Sequence, residues 1–255
     1  MLLLMILAVI KSHRRIPWPQ LSLGYVSQAS IMESANVSEQ VSEEVFERDG
    51  RKCWLCNSEV DLHIVRQIND QTAFSQIQEN ATIPSLISNP SHPDNLFPLC
   101  AYCHAGYDAA FSDWVLIPDK ETLRKYIDHE KNDYEQRFLI SQKYRSVPPR
   151  SLPFIDRSKI LYHPLIITQP TLVKDYLRGD THWPKHWLGE PTTVIHRAVN
   201  HGLFNSNPVQ PFRIRRGRMW QIGVPETFQI LVGELIGLWA RQPLRARGRR
   251  GSNRV

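Results

Sequence analysis

The four cysteines of this chain fall in two Cys-x-x-Cys pairs, Cys53-Trp-Leu-Cys56 and Cys100-Ala-Tyr-Cys103. Two residues between cysteines let one tight turn aim both sulfurs at a single point. Two such turns supply the four thiolates of a closed tetrahedral zinc site, with Zn–S near ~2.3 Å. The segment 57–99 then becomes a closed loop that a metal helps to hold. Two disulfides or four buried thiols are the alternatives, but four cysteines in 255 residues are far from the density of a disulfide scaffold. The spacing therefore predicts a structural zinc at Cys53, Cys56, Cys100 and Cys103. A filled four-thiolate site has no open position and cannot be a catalytic centre.

Around the cysteines the periodicity predicts short elements. Ser38–Asp49 reads as a helix, with Val41, Val45 and Phe46 on one side and Gly50 as its stop. Lys52–Cys56 is a tight turn. Val60–Ile64 alternates as a strand, placing Asp61 and His63 on its polar face. Asn69–Asp94 is a long polar loop, and Asn95–Leu99 is short and apolar. Ala101–Phe111 reads as a helix and Trp114–Ile117 as a strand. Asp119–Tyr144 is a long amphipathic helix whose buried side would carry Leu123, Tyr126, Ile127, Tyr134, Phe138 and Leu139.

Several chemically able side chains flank the sulfurs. His104 follows Cys103, and on a helix the two diverge by about 100°, so His104 faces away from the zinc toward a second site. Asp108 lies one turn on, and a His and an Asp at that spacing suit one divalent cation. His63 stands on the strand after the first cysteine turn, and Asn95 precedes Leu96–Leu99. Singly, each has a plain alternative: a surface histidine, a turn asparagine, a helix ion pair.

Together they resemble the HNH endonuclease family, whose members share a ββα-metal fold. The matching stretches are Val45–Gly50, Cys53-x-x-Cys56, Leu62-His63-Ile64-Val65 and above all Asn95-Leu96-x-x-Leu99-Cys100-x-x-Cys103-His104. The continuation His104-x-x-x-Asp108 is similar to a subgroup common among fungal proteins. The resemblance covers about a quarter of the chain. It implies that His63 is the general base, that Asn95 orients His63 by a hydrogen bond, and that His104 binds Mg²⁺ or another divalent cation. Asp108 or Asp61 would be a second ligand. Phosphodiester hydrolysis needs such a base near neutral pH and a counter-charge for the developing oxyanion. Many members carry two adjacent residues on this strand, a metal ligand and then the base. Here His63 lies alone between Leu62 and Ile64. Taken as the first position it leaves the base absent; taken as the second it keeps the base and puts Leu62 in place of a ligand. The apolar residue before it favours the second.

The rest of the chain carries no motif attached to a reaction. After Pro148 prolines interrupt Val147–Pro170, while Thr171–Arg178, Thr192–His201 and Phe228–Trp239 read as helices. His182-Trp183-Pro184-Lys185-His186-Trp187 reads as a base-stacking stretch or as a packed loop. Arg213, Arg215, Arg216 and Arg218 form a basic cluster that suits phosphate or a solvated strand edge. Six arginines in Arg241–Val255 equal the whole net charge of +6, which suits a polyanionic partner or a solvated tail. Met1–Ile10 is apolar with its positive charge behind it, unlike a secretory signal, and no acid precedes Glu33. A mitochondrial transit peptide and a mis-assigned start are the other readings. No apolar run is long enough for a membrane span.

The expected fold class is α+β, a small ββα-metal module with a mainly helical C-terminal extension. Its divisions are an N-terminal segment 1–37, a nuclease domain 38–118, a helical extension 119–240 and a basic tail 241–255. The expected function is metal-dependent cleavage of nucleic acid, DNA in the first place, in the nucleus or cytoplasm, or in mitochondria if the leader is a transit peptide. The alternative is a zinc-stabilised module that binds nucleic acid or protein without cutting.

Overall fold

The computed structural model describes residues 37–68, 89–108, 114–144, 146–166, 184–200, 210–213, 219–222 and 224–241. The leader through 36, most of the loop expected at 69–94, the helix expected at 171–178, Arg215, Arg216, Arg218 and the tail beyond Arg241 lie outside them. The fold is mixed α+β. Helix α1 (Glu39–Asp49) starts at Ser38, whose hydroxyl accepts from Val41 N–H, and ends at Gly50 with φ +85°, a left-handed conformation that suits glycine. Strand β1 (Leu62–Arg66) pairs antiparallel with β2 (Leu96–Cys100), His63 opposite Leu99 and Arg66 opposite Leu96. Helix α2 (Ala101–Asp108) follows β2 directly.

Strand β1 begins two residues later than the alternation implied. Asp61 holds a left-handed φ of +54°, which no strand residue adopts, and Val60 is exposed. Pro98, inside β2, lacks an N–H; among the described residues β2 pairs with β1 alone in this sheet, so its other edge tolerates the loss.

Strand β3 (Trp114–Pro118) belongs to a second sheet. It pairs with β4 (Leu161–Ile166), which also pairs with β5 (Lys185–His186) and, in parallel, with β7 (Met219–Ile222); β6 (Gln210–Arg213) closes the order. Helices α3 (Lys120–Tyr144), α4 (Pro191–Asn200) and α5 (Glu226–Trp239) complete the described residues. The stretch after Asp119 is thus helical as expected but also contributes four strands. Short apolar runs broken by prolines hid them.

Two apolar clusters share β3. Its alternation sends Trp114 and Leu116 into a core with the cysteines, Phe97, Leu99, Tyr107, Tyr162 and Trp187. Val115 and Ile117 point into a core with Leu123, Ile127, Ile195, Val232 and Trp239. Residues on both sides of 118 therefore build each core. Of the two readings of the stretch around Trp187, base stacking or a packed loop, the buried core position of Trp187 agrees with the packed one.

Helix α3 buries Leu123, Tyr126 and Ile127 as expected, but farther along it buries Glu130, Arg137 and Ser141, while Phe138 and Leu139 are exposed. Its second half faces ion pairs rather than a purely apolar partner: Arg150 Nε meets Glu130 at 3.2 Å and Arg137 meets Asp133 at 2.6 Å. Among the described residues no helix is long and apolar enough to cross a membrane.

Candidate functional site

The four cysteines converge. Their sulfurs all lie within 4.8 Å of one another, and Cys56 Sγ is 3.7 Å from Cys100 Sγ. That is too long for a disulfide, whose sulfurs are ~2.05 Å apart. It matches the edge of a zinc–sulfur tetrahedron, about 3.8 Å for bonds of ~2.3 Å. The group could hold a metal ion such as zinc. Hydrogen bonds from Cys53 and Cys56, then burial, push the Cys103 thiol far above its ordinary range. Four sulfurs this close, three of them on buried cysteines, cannot all be anionic without a cation among them.

The first turn is built for this convergence. Cys53 N–H donates to Ser58 O at 2.7 Å and Asn57 N–H to Cys53 O at 2.9 Å, with Asn57 at φ +63° closing the turn. Lys185 on β5 reaches over it, its ammonium donating to Trp54 O at 2.7 Å and Asn57 Oδ1 at 2.9 Å. Trp54 Nε1–H donates to His186 O at 3.1 Å. The second turn joins β2 to α2, where Ala101 N–H donates to Asp61 O at 3.0 Å.

His63 on β1 and His104 on α2 meet each other. Leu62 packs against the cysteine core, whereas His63, the next residue of β1, is only partly buried. Cys103 is fully buried, and the helical turn carries His104 to a position where 14% of its side chain is exposed. The two imidazoles approach edge to face with Nδ1 3.0 Å from Nδ1. Each outer nitrogen faces a carboxylate: His104 Nε2 lies 2.8 Å from Asp108 Oδ2, and His63 Nε2 lies 3.6 Å from Asp61 Oδ1. The inner nitrogens can share one hydrogen. They also fit one cation, because adjacent ligands at ~2.1 Å from an octahedral ion are about 3.0 Å apart.

Asn95 is not part of this pair. Its side chain is fully buried; Oδ1 accepts from Ile68 N–H at 3.1 Å and Nδ2 donates to Ile68 O at 3.1 Å and Pro90 O at 2.8 Å. Asn95 precedes Leu96, which pairs with Arg66, three residues along β1 from His63 and so about 10 Å away. The expected hydrogen bond to His63 is therefore absent. Asn95 instead pins both ends of the connection from β1 toward β2.

Two residues beyond the expected set enter the site. Gln67, at the end of β1, is buried; it accepts from the Tyr107 hydroxyl, and its N–H donates to Asn95 O at 2.8 Å. Arg197 on α4 donates to Asp108 Oδ1 at 3.0 Å. The signal for Arg197 was present but mute: an arginine beside Val194, Ile195 and Ala198 on an apolar helix requires a buried partner, without saying which. No family model, curated protein or solved structure matches the chain.

Proposed function

We propose that the chain is a divalent-metal-dependent endonuclease of the HNH type acting on DNA, with β1, β2 and α2 as its ββα-metal module and the four cysteines as its structural zinc site. The observation that carries this reading is the imidazole pair, two Nδ1 atoms 3.0 Å apart with a carboxylate behind each ring. A cation bound there would polarise the scissile phosphate and stabilise the leaving oxygen.

His63 and His104 would hold it through Nδ1. Hydrogen placement makes that assignment. With both inner lone pairs turned to the cation, each neutral ring keeps its hydrogen on Nε2, where Asp108 accepts from His104 at 2.8 Å while Asp61 stands 3.6 Å from His63 Nε2, beyond hydrogen-bond reach. Carboxylates in this position fix tautomer and ring direction and raise the donor strength of the inner nitrogen. His63 thereby takes a ligand's part in place of the base's part that the resemblance implies, and Asp108 acts on His104 rather than as a ligand. Leu62, packed into the cysteine core, supplies nothing to the site. The exposed Asp61 stands at the solvent edge, where a carboxylate can accept a proton from the attacking water.

The test is plasmid nicking by the full-length, zinc-loaded protein with Mg²⁺ or Mn²⁺. His63→Ala and His104→Ala are expected to abolish cleavage and Mn²⁺ binding while keeping about one zinc per chain, as a separate four-thiolate site allows. A His63→Ala protein that binds Mn²⁺ normally but does not cut would return His63 to the role of base. Cleavage by both variants at the wild-type rate would end the nuclease reading.

A further inference from the structure

Asp108, on helix α2, is met from 89 residues away by Arg197, which is buried on α4. Its Nη2 donates to Asp108 Oδ1 at 3.0 Å and also to the Tyr107 carbonyl. Its Nη1 donates to Gln67 O at 3.4 Å, and its guanidinium lies 3.6 Å from the centroid of the Tyr107 ring. The same cation therefore ties the end of α2, which carries His104, to the residue just after β1, which carries His63.

Asp108 is thereby divided between two partners, Oδ1 on Arg197 and Oδ2 on His104 Nε2 at 2.8 Å. With Asp108 accepting, a neutral His104 carries its hydrogen on Nε2 and turns a bare Nδ1 toward His63. We infer that Arg197 is a positioning residue of the imidazole pair: it fixes Asp108, which fixes the tautomer and direction of His104, so the C-terminal half completes the site. This rests on the nuclease reading for its purpose, though not for its geometry. It also gives residues beyond 118 a part in the chemistry.

The experiment is a double-mutant cycle on the full-length, zinc-loaded chain with Asp108→Asn and Arg197→Gln. It has two readouts, the imidazole ¹⁵N shifts of His104 without added metal and the affinity for Mn²⁺. Asp108→Asn should shift His104 away from the Nε2–H tautomer and weaken Mn²⁺ binding by about 10–100-fold, as loss of a carboxylate behind a ligating histidine does. Arg197→Gln should move both readouts in the same direction, and in the Asp108→Asn background it should have almost no further effect. A purely structural arginine would give additive losses instead, which would overturn the inference. So would an Arg197→Gln protein with unchanged His104 shifts. If Arg197→Gln does not fold, Arg197→Lys takes its place in the cycle. Asp108→Asn alone decides against the inference if the His104 shifts stay put. Failure of the wild type to bind Mn²⁺ or nick DNA would sink the nuclease reading, while the ¹⁵N readout would still judge the relay.

Discussion

Replacing Asn95 with alanine removes three hydrogen bonds at one fully buried position. Ile68 N–H, Ile68 O and Pro90 O each lose their partner in the side chain. At a net ~1 kcal/mol per bond, and more where a buried backbone group is left unsatisfied, the loss is at least about 3 kcal/mol. With a urea m-value of ~3 kcal/mol/M, the unfolding midpoint should fall by about 1 M. The assay is urea unfolding followed by tryptophan fluorescence, with zinc held constant. Asn95→Asp separates hydrogen bonding from volume. It keeps the acceptor for Ile68 N–H but turns an oxygen toward two carbonyl oxygens, so it should cost at least as much as alanine. The sulfurs lie near the opposite end of the hairpin, beside the pairing of Leu62 with Cys100, so zinc content should not change. A midpoint drop below about 0.3 M in Asn95→Ala, equivalent to ~1 kcal/mol, would refute the account of Asn95 as a clamp. So would an Asn95→Asp protein as stable as the wild type.

Three further outcomes are expected. Cys100→Ser should lose bound zinc, measured by a chelator assay, together with the near-ultraviolet signal of the tryptophans packed around the cluster; a folded, metal-free variant would contradict a metal-held core. At Gly189 an added methyl would fall onto the ring of buried Trp187, so Gly189→Ala should destabilise by about 1–3 kcal/mol or more, read as a lowered thermal midpoint. Burial pulls His196 from 6.5 down to about 4. As pH falls through that window the unfolded chain takes up this proton before the folded one does, so the stability contribution is present above 6.5 and lost toward 4. The stability difference between wild type and His196→Gln should therefore shrink on acidification, by up to ~1.4 kcal/mol per pH unit. A pH-independent difference would mean that His196 does not titrate between those limits.

What could be read from the order of residues was whatever a short stretch fixes by its own geometry. Helix α1 was marked by Ser38 and Gly50, whose cap roles need no distant contact. The two cysteine turns announced a shared point because a turn of that length leaves its sulfurs little choice of direction. His104 and Asp108 were matched by helical period alone, and they do meet at 2.8 Å. The first turns of α3, through Ile127, followed the apolar stripe, and the helix from Glu130 on did not, because burial of Glu130 and Arg137 depends on ion pairs supplied by α3 itself and by Arg150.

Tertiary structure decided everything that joins residues far apart in the chain. The pairing of β3 with β4 spans a long helix, and no local pattern records which of several short apolar runs will be neighbours. Asn95 was recognisable as a marked residue, but only the return of Pro90 and Ile68 to its side shows that its amide is consumed by backbone. Arg197, which meets the other oxygen of Asp108, lies on α4, in a half of the chain that bears no motif. A buried arginine must find a carboxylate because its unpaired charge is too costly inside a protein, yet which carboxylate it finds is settled by packing. Period and turn chemistry determined where the sulfurs and imidazoles would point, since those act over a few bonds. The fold determined what would hold them there, since charge pairing and strand pairing act across space.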